Sequence, residues 1–337
     1  MRALATLTSL MAALLALAGC GGDGAGPVSR CNGQATLCAK RLDQVVFAGT
    51  HNSYAASREP GWYFANQHRP LGPQLEAGIR ALTLDVHYGV PDPATGLVRT
   101  DLRAEGAEAN KVLAAAPAAA IRAAEELAGP LGVGLPDAPP GLYLCHTLCE
   151  LGAEPLDREL DGIASFLDSH PRDVLILIVE DYVPADRVAR AFRRAGLAAR
   201  AAVLDRERPL PTLGRLLGDG HQLLVFSEQR GGEPAWYMPA FSFIQDTPLG
   251  AQRPSQLSCD RARGDADSPL LLINHWIPPF PPSPQLNAAI GSAPFLGSRV
   301  RRCLRERGFA GAIVAVDFYE RTAVVRVARA LNRSPLR

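Results

Sequence analysis

Hydrophobic residues are concentrated in eight short runs along the chain, separated by polar or helix-like stretches. Most of these runs are continuously apolar rather than alternating, which is typical of strands buried on both faces of a parallel sheet. Turn residues bound each run, so we predict eight β-strands. They cover residues 45–51, 81–88, 141–147, 174–182, 222–228, 241–246, 270–276 and 312–319.

Amphipathic segments fill several of the gaps between these strands. The predicted helices cover residues 71–79, 156–170, 185–196, 297–308 and 321–332, and an Ala-rich region at 103–129 predicts an insertion of one or two helices. Buried strands that alternate with helices predict an α/β fold, namely a distorted (β/α)8 TIM barrel. A doubly wound open sheet is the alternative, but it would need a glycine-rich loop after an early strand, which "GTHNSY" (49–54) does not provide.

The first twenty residues have the features of an export signal. Arg2 precedes an apolar run at 3–19, and "LAGC" (17–20) resembles the lipobox of bacterial lipoproteins. That resemblance implies cleavage before Cys20 and lipid attachment to it, with "GGDGAGP" (21–27) as a flexible tether. We therefore expect an exported bacterial lipoprotein, anchored at the outer membrane or cell surface and facing the periplasm or the exterior. An ordinary secretory signal is the alternative.

Composition and cysteines narrow the class of protein. The chain has 337 residues, is 47% hydrophobic and carries a net charge of +1, so it has material for a large core and lacks the strong basic charge of a nucleic-acid-binding protein. Six cysteines follow Cys20, an even number that suggests three disulfides after export. Short separations favour Cys31–Cys38 and Cys145–Cys149, which leaves Cys259–Cys303; zinc binding is the rival interpretation. The expected domains are a signal peptide (1–19), a tether with an N-terminal disulfide loop (20–38) and a catalytic barrel (39–337).

Polar residues stand at or near the end of every predicted strand. They are His51 with Asn52, Asp85, His146, Glu180, Glu228, Asp246, Asn274 with His275, and Asp317. Each alone could be a turn or capping residue, but the active site of a TIM barrel lies at the carboxyl ends of its strands. The pattern therefore predicts one catalytic mouth assembled from the whole chain.

The residue types at this mouth indicate acid–base chemistry. Two histidines can accept and donate protons, and Asn52, Asp85 and Glu180 offer oxygen ligands of the kind that Ca2+ takes. Zinc would prefer more nitrogen and sulfur, and the absence of a G-x-S-x-G motif disfavours a serine esterase. A glycosidase that uses Glu180 and Glu228 remains an alternative.

Five segments resemble the X domain of phosphatidylinositol-specific phospholipases C, most of all its secreted bacterial branch. They are "VVFAGTHNSY" (45–54), "GIRALTLDVHYG" (78–89), "LYLCHTLCELG" (142–152), "DVLILIVEDY" (173–182) and "AVDFYE" (315–320). The resemblance covers residues 40–325 and implies a distorted TIM barrel. It also implies cleavage of the glycerol–phosphate bond of an inositol phospholipid, which yields diacylglycerol and a cyclic inositol phosphate.

The resemblance assigns roles by position. His51 would be the general base, His146 the general acid and Asp317 the carboxylate that orients His51. Asn52, Asp85 and Glu180 would hold calcium, as in metal-dependent members. Metal-free members carry arginine in place of Asp85, and the fourth acidic ligand of the calcium-dependent members falls at Thr83.

Substrate contacts are predicted from the same resemblance. Asp246 matches a residue that contacts inositol hydroxyls, while Glu228 stands where members often have a basic residue; Arg230 is the nearby substitute. His87 shares a strand face with Asp85, so it either lines the mouth or is a core histidine at the strand end. We expect a monomer that acts at a phospholipid surface and binds no nucleic acid.

Three further interpretations complete the prediction. The Pro-rich loop 275–285 either packs on the barrel or dips into lipid, and "RGD" (263–265) is taken as turn residues. Glycerophosphodiesterases and phospholipase D-like enzymes share related barrels with two histidines and acidic metal ligands, so they are the alternative enzymes. A lipoprotein that binds inositol lipid without cleaving it is the non-enzymatic alternative.

Overall fold

A curled, mostly parallel sheet forms the centre of the molecule. The computed structural model of the chain describes residues 30–106 and 109–333. Its strands are β1 Val46–Thr50, β2 Ala81–Asp92, β3 Leu97–Thr100, β4 Gly141–Leu144, β5 Glu154–Pro155, β6 Leu175–Asp181, β7 Leu223–Ser227, β8 Tyr237–Pro239, β9 Ile244–Asp246, β10 Leu270–His275 and β11 Ala312–Val316. Eight of them pair side by side in parallel, in the order β8-β7-β6-β2-β1-β11-β10-β9. This confirms the α/β, TIM-barrel-like fold.

Helices cover the outer face of the sheet. They are α1 Leu71–Ala77, α2 Leu102–Glu105, α3 Ala109–Ala115, α4 Ala118–Ala128, α5 Leu156–Ser169, α6 Ala185–Arg194, α7 Leu213–Gly218, α8 Ala240–Phe243, α9 Pro284–Ile290, α10 Ala293–Arg307 and α11 Val324–Arg333. α10 begins four residues before the predicted start because the Ser292 side chain accepts a hydrogen bond from the Phe295 amide and so caps the helix. None of the described helices is long and apolar enough to span a bilayer.

Alternation along each strand decides which side chains reach the barrel interior. On β6, Leu175, Leu177 and Val179 pack with the helices, whereas Ile176 and Ile178 belong to a second cluster inside the barrel. Burying each such side chain stabilises the fold by about 1.5–3 kcal/mol. The period of two then carries the interior face to the strand ends and places residue 180 on that face.

One predicted barrel strand is wrong. Residues 141–147 were expected as the third parallel strand, but β4 pairs antiparallel with β2, with Val86 opposite Leu144 and Gly89 opposite Gly141. β2 is twelve residues long, so its second half runs beyond the parallel strands and pairs with β3 and β4 instead. β8, which was not predicted, takes its place among the eight parallel strands. The predicted strand 241–246 begins as the short helix α8.

The cysteines pair as the short separations favoured. The disulfides are Cys31–Cys38, Cys145–Cys149 and Cys259–Cys303. All six cysteines that follow Cys20 are therefore joined, and zinc binding by them is excluded. The predicted signal peptide, Cys20 and the tether 21–27 lie outside the described residues.

Candidate active site

His51 and Asp317 form a bonded pair at the carboxyl ends of β1 and β11. His51 Nδ1 lies 2.9 Å from Asp317 Oδ1, and the carboxylate is buried. Because a carboxylate only accepts hydrogen bonds, Nδ1 must donate its proton, which leaves Nε2 with a free lone pair in the neutral ring. Trp276 stacks on the same imidazole, with the ring centroids 3.9 Å apart. The ring is thus held in the tautomer that a general base requires.

His146 faces this pair from a disulfide loop rather than from a barrel strand. It lies between Cys145 and Cys149, which are joined, and the Cys149 amide donates to Thr100 Oγ1 over 2.8 Å. The two histidine rings meet edge to face with centroids 6.2 Å apart. The side chain of His146 is 47% exposed, so a ligand can reach it.

Asp85 sets the charge state of His146. Its Oδ2 lies 3.2 Å from His146 Nδ1. Partial desolvation opposes the charged imidazolium, but the hydrogen bond and charge of Asp85 outweigh it and raise the pKa of His146. For Asp85, burial opposes ionisation, yet His146 holds the pKa of this carboxyl below its usual value. The pair therefore favours a protonated His146 beside an ionised Asp85.

A chain of side-chain amides leads from Asp317 towards His146. Asn66 donates from Nδ2 to Asp317 Oδ2 over 3.1 Å, and its Oδ1 accepts from Asn52 Nδ2 over 3.2 Å. The same Asn52 nitrogen lies 2.9 Å from His146 Nδ1. Asn66 is buried in the loop after β1 and was not predicted, because no periodicity or motif marks it. It fixes the orientation of both Asp317 and Asn52.

Three carboxylates, Asp85, Glu180 and Glu228, lie close enough together to repel one another. Asp85 and Glu180 are paired positions of β2 and β6, and burial and the charge of Asp85 raise the pKa of Glu180. The Tyr182 hydroxyl donates to Glu180 Oε1. Burial raises the pKa of Glu228 to about 8, with Arg263 opposing the shift and Glu180 adding to it. Carboxylates that repel one another in a partly buried site favour the arrival of a cation.

The donor set of this group fits a hard cation in part. Asp85 and Glu180 supply carboxylate oxygens, and Asn52 has Oδ1 left because its Nδ2 is engaged by Asn66. Thr83 Oγ1 instead accepts the backbone amide hydrogen of Asn52 over 2.9 Å, so it positions Asn52. Within the described ranges, no group of three or more His, Cys, Asp or Glu side chains is arranged to hold a metal ion. A bound cation would therefore depend on one amide and two carboxylates, completed by water or substrate.

Arg263 is a cation beside Glu228 and Asp246, and the sequence reasoning missed it. Its Nη1 donates to Glu228 Oε2 over 2.7 Å, and its Nη2 donates to Asp246 Oδ2 over 2.6 Å. The guanidinium lies over the Phe241 ring at 4.5 Å and is 36% exposed. The "RGD" segment is thus more than a turn. Arg230, the expected substitute, lies in the exposed turn after β7 with its amide held by Ser227 Oγ.

Asp246 is placed as a support for Arg263 rather than as an open contact. Its side chain is fully buried and also accepts from Asn274 Nδ2 over 3.2 Å. Oδ1 accepts the Arg263 backbone amide hydrogen over 2.9 Å, so both carboxylate oxygens are engaged by protein donors. The contact of Asp246 with inositol hydroxyls stays a prediction.

Two predicted mouth histidines lie elsewhere. His87 is fully buried, bonds Glu105 Oε1 over 2.8 Å and stacks on Tyr182, so it offers no surface to a substrate. His275 occupies the helix-facing position of β10, where it contacts Arg299 Nη1 at 3.0 Å and Ile290 O at 3.1 Å. Burial and the charge of Arg299 lower the pKa of His275 to about 3, so it stays neutral as a core residue.

The Pro-rich loop packs on the barrel. Trp276 and Ile277 are buried, and Phe280 contacts Phe64 with ring centroids 4.4 Å apart. The packed-loop interpretation of residues 275–285 is therefore correct for these aromatic residues. The loop closes one wall of the mouth behind His51.

Comparisons with known proteins agree with this architecture. A family model described as PI-PLC X 1 matches residues 137–332, more than half of the chain. The chain belongs to the PI-PLC X domain family. The match includes His146, Glu180 and Asp317, while His51 and Asp85 precede it.

Individual relatives extend the likeness over the rest of the chain. The PI-PLC X domain-containing protein 1 of Arthroderma benhamiae is 24% identical over 326 residues, covering 90% of this chain and 89% of that protein. A mutant of phosphatidylinositol-specific phospholipase C from Staphylococcus aureus has a TM-score of 0.51 at 9% identity, covering 86% of this chain and 93% of that one. A second structure of the Staphylococcus aureus enzyme has a TM-score of 0.50 at 11% identity, covering 90% and 98%. The two structures share the fold of this PI-PLC X domain.

Proposed function

We propose that this PI-PLC X domain is a phosphodiesterase that cleaves the glycerol–phosphate bond of phosphatidylinositol or a related inositol lipid. The observation that carries the proposal is the pair of histidines, with centroids 6.2 Å apart and each ring held through Nδ1 by a carboxylate. General acid–base groups must lie within about 2.6–3.2 Å of the protons they move. Two rings at this separation can serve opposite sides of one phosphorus centre.

In the proposed step, each histidine transfers one proton. His51 Nε2 takes the proton of the inositol 2-hydroxyl as that oxygen attacks phosphorus. The bond from phosphorus to the glycerol oxygen breaks, and a ring N–H of His146 protonates the departing oxygen. The products are a cyclic inositol phosphate and diacylglycerol, and Asp317 stabilises the imidazolium that forms at His51.

Product analysis tests this proposal directly. Phosphorus NMR of the reaction with phosphatidylinositol should show a cyclic inositol phosphate and no free phosphatidic acid. Phosphatidic acid would assign the chain to phospholipase D-like chemistry, and glycerol phosphate released only from deacylated substrate would assign it to glycerophosphodiesterases. Binding of inositol lipid without turnover would assign the chain to the non-enzymatic alternative, a lipid-binding protein.

Calcium is the cofactor that we propose for this site. Asn52, Asp85 and Glu180 would hold it, and Ca2+ would neutralise phosphate charge and acidify the attacking hydroxyl. Support comes from the raised pKa of Glu180, which reflects burial and the nearby charge of Asp85. The remaining residues of the mouth orient the two histidines whether or not the ion is bound.

Chelation should therefore reduce turnover, and calcium should restore it. Removal of one charge-stabilising group at a reacting centre typically costs about 10²–10³ in kcat, so we expect a loss of that order with excess chelator. The matched variant is Asp85→Asn, whose residual activity should no longer respond to calcium. A wild-type rate that is indifferent to chelator and to added calcium would remove the ion from the mechanism.

Arg263 is proposed to bind the anionic headgroup in place of the basic residue absent at Glu228. Arg263→Gln removes a charge-assisted donor, so kcat/KM should fall about tenfold to hundredfold, mainly through KM. Arg261→Gln is the control, because Arg261 is exposed and its Nη1 donates to the Gly264 carbonyl. Equal kinetics for the two variants would exclude a substrate role for Arg263.

The cellular setting is part of the proposal. Three disulfides support an oxidising compartment, and we propose that Cys20 carries a lipid anchor on an exported protein. We also propose that the chain acts as a monomer at a phospholipid surface. A Cys20→Ser variant that stays in the membrane fraction would contradict the anchor, and a dimer mass in sedimentation would contradict the monomer.

A further inference from the structure

A second cavity lies at the opposite end of the barrel from the histidines. It has a volume of about 450 Å³ and opens between the start of β1, the segment before β6 and the last turns of α11. The cavity reaches Ala48 on β1, and His51 follows the last residue of that strand, so about 10 Å of strand separates the cavity from the catalytic mouth. Its size lies in the range of small-molecule sites, which span roughly 300–1,000 Å³.

The wall of this cavity is strongly basic. Four arginines line it, Arg30, Arg80, Arg172 and Arg329, against one carboxylate, Asp173. Arg80 uses that carboxylate, with Nη2 donating to Asp173 Oδ2 over 2.6 Å. Among residues 30–106 and 109–333, no carboxylate lies within ion-pair distance of the other three arginines. The cavity therefore presents positive charge that the described part of the fold does not neutralise.

Apolar side chains also line the cavity. Phe47 and Leu37 from the barrel end and Val325 from α11 line it. Gly78 makes room beside them, because a Cβ there would come within 3.1 Å of both Arg329 Nη2 and Val325 Cγ1. Its φ of 106° is also left-handed, a conformation that suits glycine. The guanidinium of Arg329 thus lies beside Gly78 and Val325.

Two polar side-chain atoms of residues that line the cavity are buried without a hydrogen-bond partner. They are Gln34 Oε1 and Arg80 Nε. Buried polar groups are nearly always hydrogen-bonded in folded proteins, and an unpaired one costs about 1–3 kcal/mol. Both atoms belong to residues that line the cavity.

We propose that this cavity binds a phosphate ester that carries an apolar group. Arg172 and Arg329 would meet the phosphate, since guanidinium groups match phosphate geometry, and the apolar lining residues Val325 and Ala328, on the same helix as Arg329, would hold the apolar part. The ligand can be a soluble organic phosphate or the headgroup region of an anionic lipid. The site is independent of the catalytic mouth and does not rest on the proposed reaction.

Calorimetric titration with hexyl phosphate tests the soluble source, and flotation with phosphatidylglycerol or phosphatidylcholine vesicles tests the lipid source. The Arg172→Gln, Arg329→Gln double variant should bind at least about tenfold more weakly. Arg326→Gln is the matched control, because Arg326 is exposed on the same helix but does not line the cavity. Ser169→Trp should block the cavity from an exposed position without disturbing the core.

The arms of the experiment separate the outcomes. Hexyl phosphate binding that the double variant and Ser169→Trp both lose supports the soluble source, and the same loss for phosphatidylglycerol vesicles alone supports the lipid source. Thermal unfolding and turnover should match wild type in every variant. Wild-type affinity in the double variant, equal binding of hexanol, or no binding of either probe to the wild type would overturn the proposal.

Discussion

Replacing His51 or His146 by alanine should lower kcat/KM for phosphatidylinositol by about 10²–10⁴-fold, the usual contribution of a general acid or base. His51 is the ring whose Nδ1 is bonded to Asp317, and His146 is the ring beside Asp85. Each moves one proton in the proposed step, so neither can replace the other. The double variant should lose little more than the worse single variant, because the two act in one step.

His68→Ala is the control for this pair. His68 lies in the same loop region as His51 but bonds Ser57 and contacts Phe318. Its removal should leave kcat/KM within a few-fold of wild type, which corresponds to a change of about 1 kcal/mol in activation free energy. If either active-site alanine variant kept near-wild-type turnover, the two-histidine mechanism would be wrong.

Asp317→Asn should be the second most damaging change, with a loss in kcat approaching 10⁴-fold and little change in KM. The carboxylate accepts from His51 Nδ1 and from Asn66 Nδ2 at the same time. An amide has only one accepting oxygen, so its NH2 group must face one of these donors. When it faces His51, it selects the tautomer with the proton on Nε2, which cannot act as a base; the equivalent change in serine proteases costs about 10⁴-fold.

Asn66→Ala tests the orientation of the Asp317 carboxylate separately from its charge. It removes one donor to Asp317 and the link to Asn52, but it leaves the His51–Asp317 hydrogen bond in place. We expect a loss of about tenfold, the usual cost of one buried hydrogen bond. Thermal unfolding of both variants shows whether the loss is structural. An Asp317→Asn enzyme as active as Asn66→Ala would mean that the carboxylate does not set the tautomer.

Alternation explains which strand-end residues the sequence could place. Glu180, Glu228 and Asp317 continue the interior face of β6, β7 and β11, so a period of two and the barrel rule suffice to bring them together. His275 was wrongly grouped with them because it follows Asn274 by one residue, which reverses its side of the strand.

Other features required contacts that no local pattern encodes. An apolar run such as residues 141–147 does not reveal whether its partner strand is parallel, so the antiparallel extension that carries His146 was missed. Asn66 and Arg263 lie in loops, where side chains are positioned by distant partners: Asp317 is 251 residues from Asn66. The Cys145–Cys149 spacing was the one local signal that the segment around His146 is a closed loop.

The division of labour between the two histidines is the central claim, and a change of leaving group tests it most directly. Turnover should be compared for two inositol phosphodiesters, one with an alcohol leaving group and one with a nitrophenol, which departs without protonation. We expect His146→Ala to recover most of its activity on the nitrophenyl ester, whereas His51→Ala stays inactive on both because the attacking hydroxyl still needs a base. Equal recovery of the two variants, or recovery of His51→Ala alone, would contradict it.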